Sequence, residues 1–137
     1  MPDATLLEAL HVAARRGADV AIVVPDKSGE WLTDLARGSY LRDLAEAGAK
    51  VQMHKGMVHA KIVLIDDRLA MVGSANFDAR SMFLNFEVMG LFYSPEEIGA
   101  VAAYVNDLLL ACEPSSNSVS PRRDMLESIA RLISPVL

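Results

Sequence analysis

The sequence predicts an α/β sandwich built on a mixed β-sheet flanked by helices. Three observations carry this: two helix-then-strand units, a pair of short apolar runs spaced as a hairpin, and a further strand covered by a long amphipathic helix. Asp3 is placed to cap a first helix whose apolar positions Leu6, Leu7, Leu10, Ala13 and Ala14 recur at helical spacing, and Gly17 ends it after Arg15 and Arg16. Asp19 to Pro25 is an apolar run typical of a strand covered on both faces. After a loop over Asp26 to Glu30, Trp31 to Ala47 reads as a helix with a break near Gly38 and a buried stripe of Trp31, Leu32, Leu35, Leu41 and Leu44.

Ala49 to Met53 is a second strand and Val58 to Ile65 a third, which Asp66, Asp67 and Arg68 turn into a partner over Leu69 to Val72. Asn76 to Phe83 reads as a loop or short helix and Asn85 to Tyr93 as a strand. Pro95 then opens a helix through Ile98, Val101, Ala102, Val105, Leu108 and Leu109. Residues 1–112 make one domain, 113–121 a polar Ser-rich linker and 122–137 a carboxy-terminal tail with a helix over Asp124 to Leu132.

A chain of 137 residues holds one core. Its net charge of −5 and pI near 5.1 give no global pull toward nucleic acid or anionic lipid. The 52% apolar fraction and mean hydropathy of +0.24 point to apolar surface that meets another domain, a second copy or a membrane. No run reaches the ~18 apolar residues of a membrane span and no signal-peptide pattern opens the chain, so membrane contact is expected to be peripheral. The single cysteine, Cys112, rules out an internal disulfide and reads as a small hydrophobe in the last long helix. His11, beside core positions of the first helix, reads as structural.

Chemistry concentrates between Val58 and Glu87, which hold His59, Lys61, Asp66, Gly73, Ser74, Asn76 and Glu87. On a strand the His-x-Lys spacing sets the imidazole and the ammonium on one face. A neutral imidazole attacks phosphorus while a fixed cation neutralises the non-bridging oxygens, and Ser74 and Asn76 add hydrogen bonds after a glycine turn. The implied reaction is phosphoryl transfer through a phosphohistidine. His54, five residues before His59, does not make a metal site with it, because zinc needs three or four converging ligands. No metal and no cofactor are predicted, and His54 and Lys55 are assigned to the substrate mouth.

His59-x-Lys61, Asp66 and Gly73-Ser74-x-Asn76 together resemble the HKD motif of the phospholipase D superfamily. The flanks Asn76-Phe77-Asp78-Ala79-Arg80-Ser81, Asn85-Phe86-Glu87 and Ile133 to Leu137 are similar to the carboxy-terminal half of bacterial cardiolipin synthases. The resemblance implies that His59 is the nucleophile or, in the other half-reaction, the general acid. Lys61, Ser74 and Asn76 then bind phosphate, and Glu87 accepts from the far nitrogen of His59. Asp66 and Gly73 are expected to be structural, and Asp78 and Arg80 to organise their loop through an ion pair, with contact to a lipid phosphate as the alternative for Arg80.

In that superfamily a strand precedes the first helix, and here only Met1-Pro2-Asp3 remains of it, leaving a sheet edge unpaired. One motif supplies one histidine, so the resemblance also implies a partner: an amino-terminal HKD half or a second copy. The expected function is exchange of a phosphatidyl group between phosphatidylglycerol-type lipids, without a metal, at the cytoplasmic face of the bacterial inner membrane. Two alternatives stand beside it. One is a single-motif homodimeric phosphodiesterase or nuclease, against which the acidic balance weighs, and the other is a catalytically inert truncated domain that binds lipid or a partner.

Overall fold

In the computed structural model, which describes residues 3–29 and 31–115, Asp3 caps the first helix as expected. Its carboxylate accepts the Thr5 and Leu6 N–H groups at 3.0 and 3.2 Å, a cap worth about 1 kcal/mol, and α1 runs Ala4–Arg15 until Gly17 takes a left-handed φ of 87°. β1 (Ala21–Pro25) and β2 (Lys50–His54) pair in parallel, with α2 (Trp31–Glu46) as the crossover between them. The predicted tail helix and the Ile133 to Leu137 ending lie outside the described residues.

The break expected near Gly38 is absent, and α2 continues through it. Its buried side chains also differ from the predicted stripe. Ala36, Tyr40 and Leu44, spaced by four, are buried together with Ser39, whereas Leu35 and Leu41 are half-buried. The side chains of Trp31 and Leu32 lie outside the described set. A four-residue repeat follows one face of a helix, and here an alanine and a tyrosine occupy it, so counting aliphatic residues selects the neighbouring face. Tyr40 and Leu44 join Leu7, Ala14 and Ala49 in the core beneath α1.

β3 (Lys61–Ile65) and β4 (Leu69–Gly73) form the predicted hairpin, from Ile65 opposite Leu69 to Lys61 opposite Gly73. Asp66 takes a left-handed φ of 50° in the turn, where the Arg68 N–H donates to the Ile65 carbonyl at 3.1 Å. β5 (Met89–Phe92) is shorter than predicted and pairs antiparallel with β4. Ser94 caps α4 (Pro95–Leu110), whose Ile98 is buried and which packs across β2, β3 and β4.

The expected α/β architecture holds, but its strands divide into two three-stranded sheets, β3-β4-β5 and one in which β2 lies between β1 and a sixth strand. That strand, β6 (Cys112–Pro114), corrects the assignment of Cys112 to a helix and of residues 113 and 114 to a linker. It pairs antiparallel with β2, and the Ser115 N–H adds a bond to the Val51 carbonyl at 2.9 Å. The free edge of β2 supplies the reason, since its backbone groups take the first extended chain that passes. β1 and β3 each keep one edge without a strand partner among the described residues. No described helix is long and apolar enough to cross a membrane.

Candidate active site

β3 begins at Lys61, so His59 lies in the loop before it and strand alternation does not set its direction. Lys61 is buried at 9% exposure, and its Nζ donates to the backbone carbonyl of His59 at 2.8 Å. The ammonium thus clamps the loop that carries the histidine. The His59 imidazole is exposed and makes no hydrogen bond among the described residues.

The register brings the second half of the motif to the same end of the sheet, because Lys61 faces Gly73 and Gly73 in turn faces Met89. Glycine is required there: a Cβ at Gly73 would collide with the Val88 carbonyl oxygen and with Met89. That close approach ties Ser74 to β5. Its N–H donates to the Val88 carbonyl at 3.0 Å, and its hydroxyl oxygen accepts the Val88 N–H at 3.0 Å. The hydroxyl proton goes to Glu87 Oε2 at 2.5 Å.

Glu87 therefore has a different partner from the one expected. Its carboxylate accepts from Ser74 and, through Oε1, from the Asn85 amide at 3.2 Å, and it makes no bond to His59. Which of several donors reaches a carboxylate depends on the β4–β5 register, and chain spacing alone does not contain that. Asn76 is exposed and unbonded among the described residues, free to turn toward a ligand. The predicted ion pair of Asp78 with Arg80 is also not formed. Asp78 instead caps α3 (Ala79–Phe83) by accepting the Ser81 N–H at 2.8 Å, which leaves Arg80 exposed. His54 closes a small turn, its ring nitrogen meeting the Gly56 backbone at 3.0 Å, and Lys55 pairs with Glu113 at 2.6 Å.

Ser81 is a residue that the sequence reading left without a role. It is 5% exposed, and its hydroxyl has no hydrogen-bond partner, a state that costs about 1–3 kcal/mol. Around it runs a rim of exposed apolar side chains: Phe83, Leu84 and Val88 are more than 70% exposed, and Phe86 is fully so. Among the described residues no three of His, Cys, Asp and Glu stand together as metal ligands.

The Ser74 hydroxyl and then the Asn85 amide hold the Glu87 carboxyl below its ordinary value of 4.5, against an opposing push from desolvation. The Lys61 charge adds to the lowering. A depressed carboxylate contributes stability that is fully present above its unfolded pKa and is lost as pH falls through its folded one. Melting curves of the chain and of Glu87→Gln are accordingly expected to differ at neutral pH and to converge as pH falls through the lowered folded pKa and the carboxyl is protonated. A difference that persists unchanged in acid would show that the carboxylate charge is not what Ser74 and Asn85 hold.

Residues 1–109 match the family model described as cardiolipin synthase, PLD-like domain. The chain is 38% identical over 142 aligned residues to cardiolipin synthase 1 of Bacillus anthracis and 39% identical to the major cardiolipin synthase ClsA of Bacillus subtilis. Both alignments take in the whole of this chain but only 28% and 30% of those relatives. Among solved structures the chain is similar to Nuc of Salmonella typhimurium, a phospholipase D family member, with a TM-score of 0.71 at 19% identity, over 84% of this chain and 76% of that one.

Proposed function

We propose, from the premise that this chain belongs to the cardiolipin synthase, PLD-like domain family, that it carries one half-site of a phosphatidyltransferase. The observation that supports this best is the clamp of buried Lys61 on the loop of exposed His59, with Ser74 and Glu87 brought beside it by the β4–β5 register. In the proposed reaction a ring nitrogen of His59 attacks the phosphorus of a phosphatidylglycerol-type lipid. The bond from phosphorus to the glycerol oxygen breaks as a second histidine gives that oxygen its proton. A hydroxyl of the acceptor lipid then returns a proton to that second histidine as its oxygen displaces His59, so that both histidines end as they began. Lys61 offsets charge on the non-bridging oxygens, and Ser74 and Asn76 donate to them.

The second histidine comes from a partner, either another HKD half or a second copy, and the exposed rim of Phe83, Leu84, Phe86 and Val88 beside the site is suited to meet it. We place the reaction at the cytoplasmic face of a bacterial inner membrane with peripheral contact. The net charge of −5 disfavours nucleic acid as substrate.

Rapid quenching in denaturant at alkaline pH after mixing with vesicles of phosphorus-labelled phosphatidylglycerol tests the covalent step. The expected result is label on His59 that is lost in acid and kept in base. Turnover by the chain with no label on any histidine would remove the phosphohistidine reading.

A further inference from the structure

In the proposed exchange two phosphates meet at one centre. The donor's phosphatidyl group is held on His59, and the acceptor lipid brings a headgroup hydroxyl that is joined through one glycerol to a phosphate of its own. Each phosphate carries a negative charge, so the acceptor approaches against repulsion unless a second cation receives it. Lys61 is already committed, being buried, bonded to the His59 carbonyl and assigned to the donor. Between Lys61 and Phe92, the span of the β3-β4-β5 sheet and its connections, the only further cations in the sequence are Arg68 and Arg80. Arg68 sits in the β3–β4 turn, at the end of the sheet away from Lys61 and Gly73.

Arg80 stands at the near end, and its place is fixed by bonds. Its carbonyl accepts the Leu84 and Asn85 N–H groups at 2.9 and 2.8 Å. The Asn85 amide donates to Glu87 Oε1 at 3.2 Å, and Glu87 Oε2 accepts the Ser74 hydroxyl, so three hydrogen bonds connect the Arg80 main chain to Ser74. The guanidinium itself is uncommitted. The carboxylate two residues before it is taken by the Ser81 N–H as the α3 cap, and Arg80 is exposed with no ion pair among the described residues.

We infer that Arg80 binds the phosphate of the acceptor lipid and so selects an acceptor that already carries one. Its planar fork suits two oxygens of a phosphodiester at once. The phosphate it holds does not react: the acceptor hydroxyl forms the new bond to phosphorus, the bond to His59 breaks, and the proton goes to the second histidine, with or without a phosphate on the acceptor. Arg80 thereby sets which hydroxyl is presented to the intermediate. This rests on the reading of the chain as half of a phosphatidyltransferase, and the experiment separates the two.

An active assembly of this chain, given vesicles of phosphorus-labelled phosphatidylglycerol together with carbon-labelled glycerol, reports both acceptors in one mixture. Initial rates give cardiolipin where the acceptor carries a phosphate and carbon-labelled phosphatidylglycerol where it does not. Both products come from the same enzyme molecules, so their ratio does not depend on how much of a variant is folded. Arg80→Gln is expected to lower the ratio of cardiolipin to carbon-labelled lipid by about 10–100-fold, the scale of lost hydrogen bonds to a charged group. Arg80→Lys should recover part of it, keeping the charge without the fork. Arg68→Gln, which removes the same charge at the other end of the sheet, is expected to leave the ratio where it is. An unmoved ratio in Arg80→Gln, or an equal fall in Arg68→Gln, would overturn the assignment of Arg80 and leave the half-site reading intact. An unaltered assembly that transfers to neither acceptor would remove that reading, and Arg80's role with it.

Discussion

Replacing His59 by asparagine in an active assembly of this chain is expected to lower phosphodiester turnover by about 10⁴-fold or more, the scale on which enzymes lose a covalent nucleophile. The amide keeps the approximate shape and polarity of imidazole and cannot form a phosphorylated intermediate. Because His59 is exposed and makes no hydrogen bond among the described residues, the change removes no packing, and lipid binding and melting temperature should hold. Turnover and trapped label are measured on the same sample. Label that persists in His59→Asn would assign the nucleophile to the partner and leave His59 as the acid, whereas full activity would take His59 out of the reaction.

Lys61→Ala should fail in a different manner. An ammonium fixed in a nearly dry place acts on developing phosphoryl charge without reorganising, and losing such a group costs about 10²–10³ in rate, or ~3–4 kcal/mol. The change also removes the bond to the His59 carbonyl and one of the influences that keep Glu87 ionised, so the histidine loop should loosen and the Glu87 titration should move toward its ordinary value. Lys61→Arg is expected to rescue little, because a planar fork does not fit a pocket shaped around one short bond to a backbone oxygen. Rates with phosphatidylglycerol vesicles, read beside a Glu87 titration, separate these effects. A Lys61→Ala variant with unaltered kcat would leave the buried cation a structural role only.

Much of this arrangement was legible in the chain, and where legibility stopped has physical reasons. Asp3, Pro95 and the Asp66 turn are local devices whose residue types announce their backbone geometry, and the structure forms each of them. The identity and spacing of the motif residues pointed to phosphate chemistry before any fold was known. Hidden from the sequence were relations set by packing: the burial of Lys61 and its turn back to a main-chain oxygen, the capture of Glu87 by Ser74, and the orphaned hydroxyl of Ser81. The same holds for β6, three residues whose extension is decided by an open edge on β2 and not by their own preference. Asp78 illustrates the middle case, since its place before α3 could have been read as a cap, and a charge pair with Arg80 was the competing reading.

The division into two sheets also bears on how the chain reaches its native state. Every pairing in β3-β4-β5 joins neighbours along the chain through a tight turn or a short excursion, so this meander closes small loops and can organise within the early, fast events of folding. The other sheet joins Ala21 to Lys50 and then Gln52 to Pro114, the latter across nearly half the chain and only after α4 has been laid down. Loop-closure entropy puts that step last. Lys61, Ser74 and Glu87 thus belong to a cooperative unit that assembles on local information, and amide exchange in β6 should report openings that leave the meander closed.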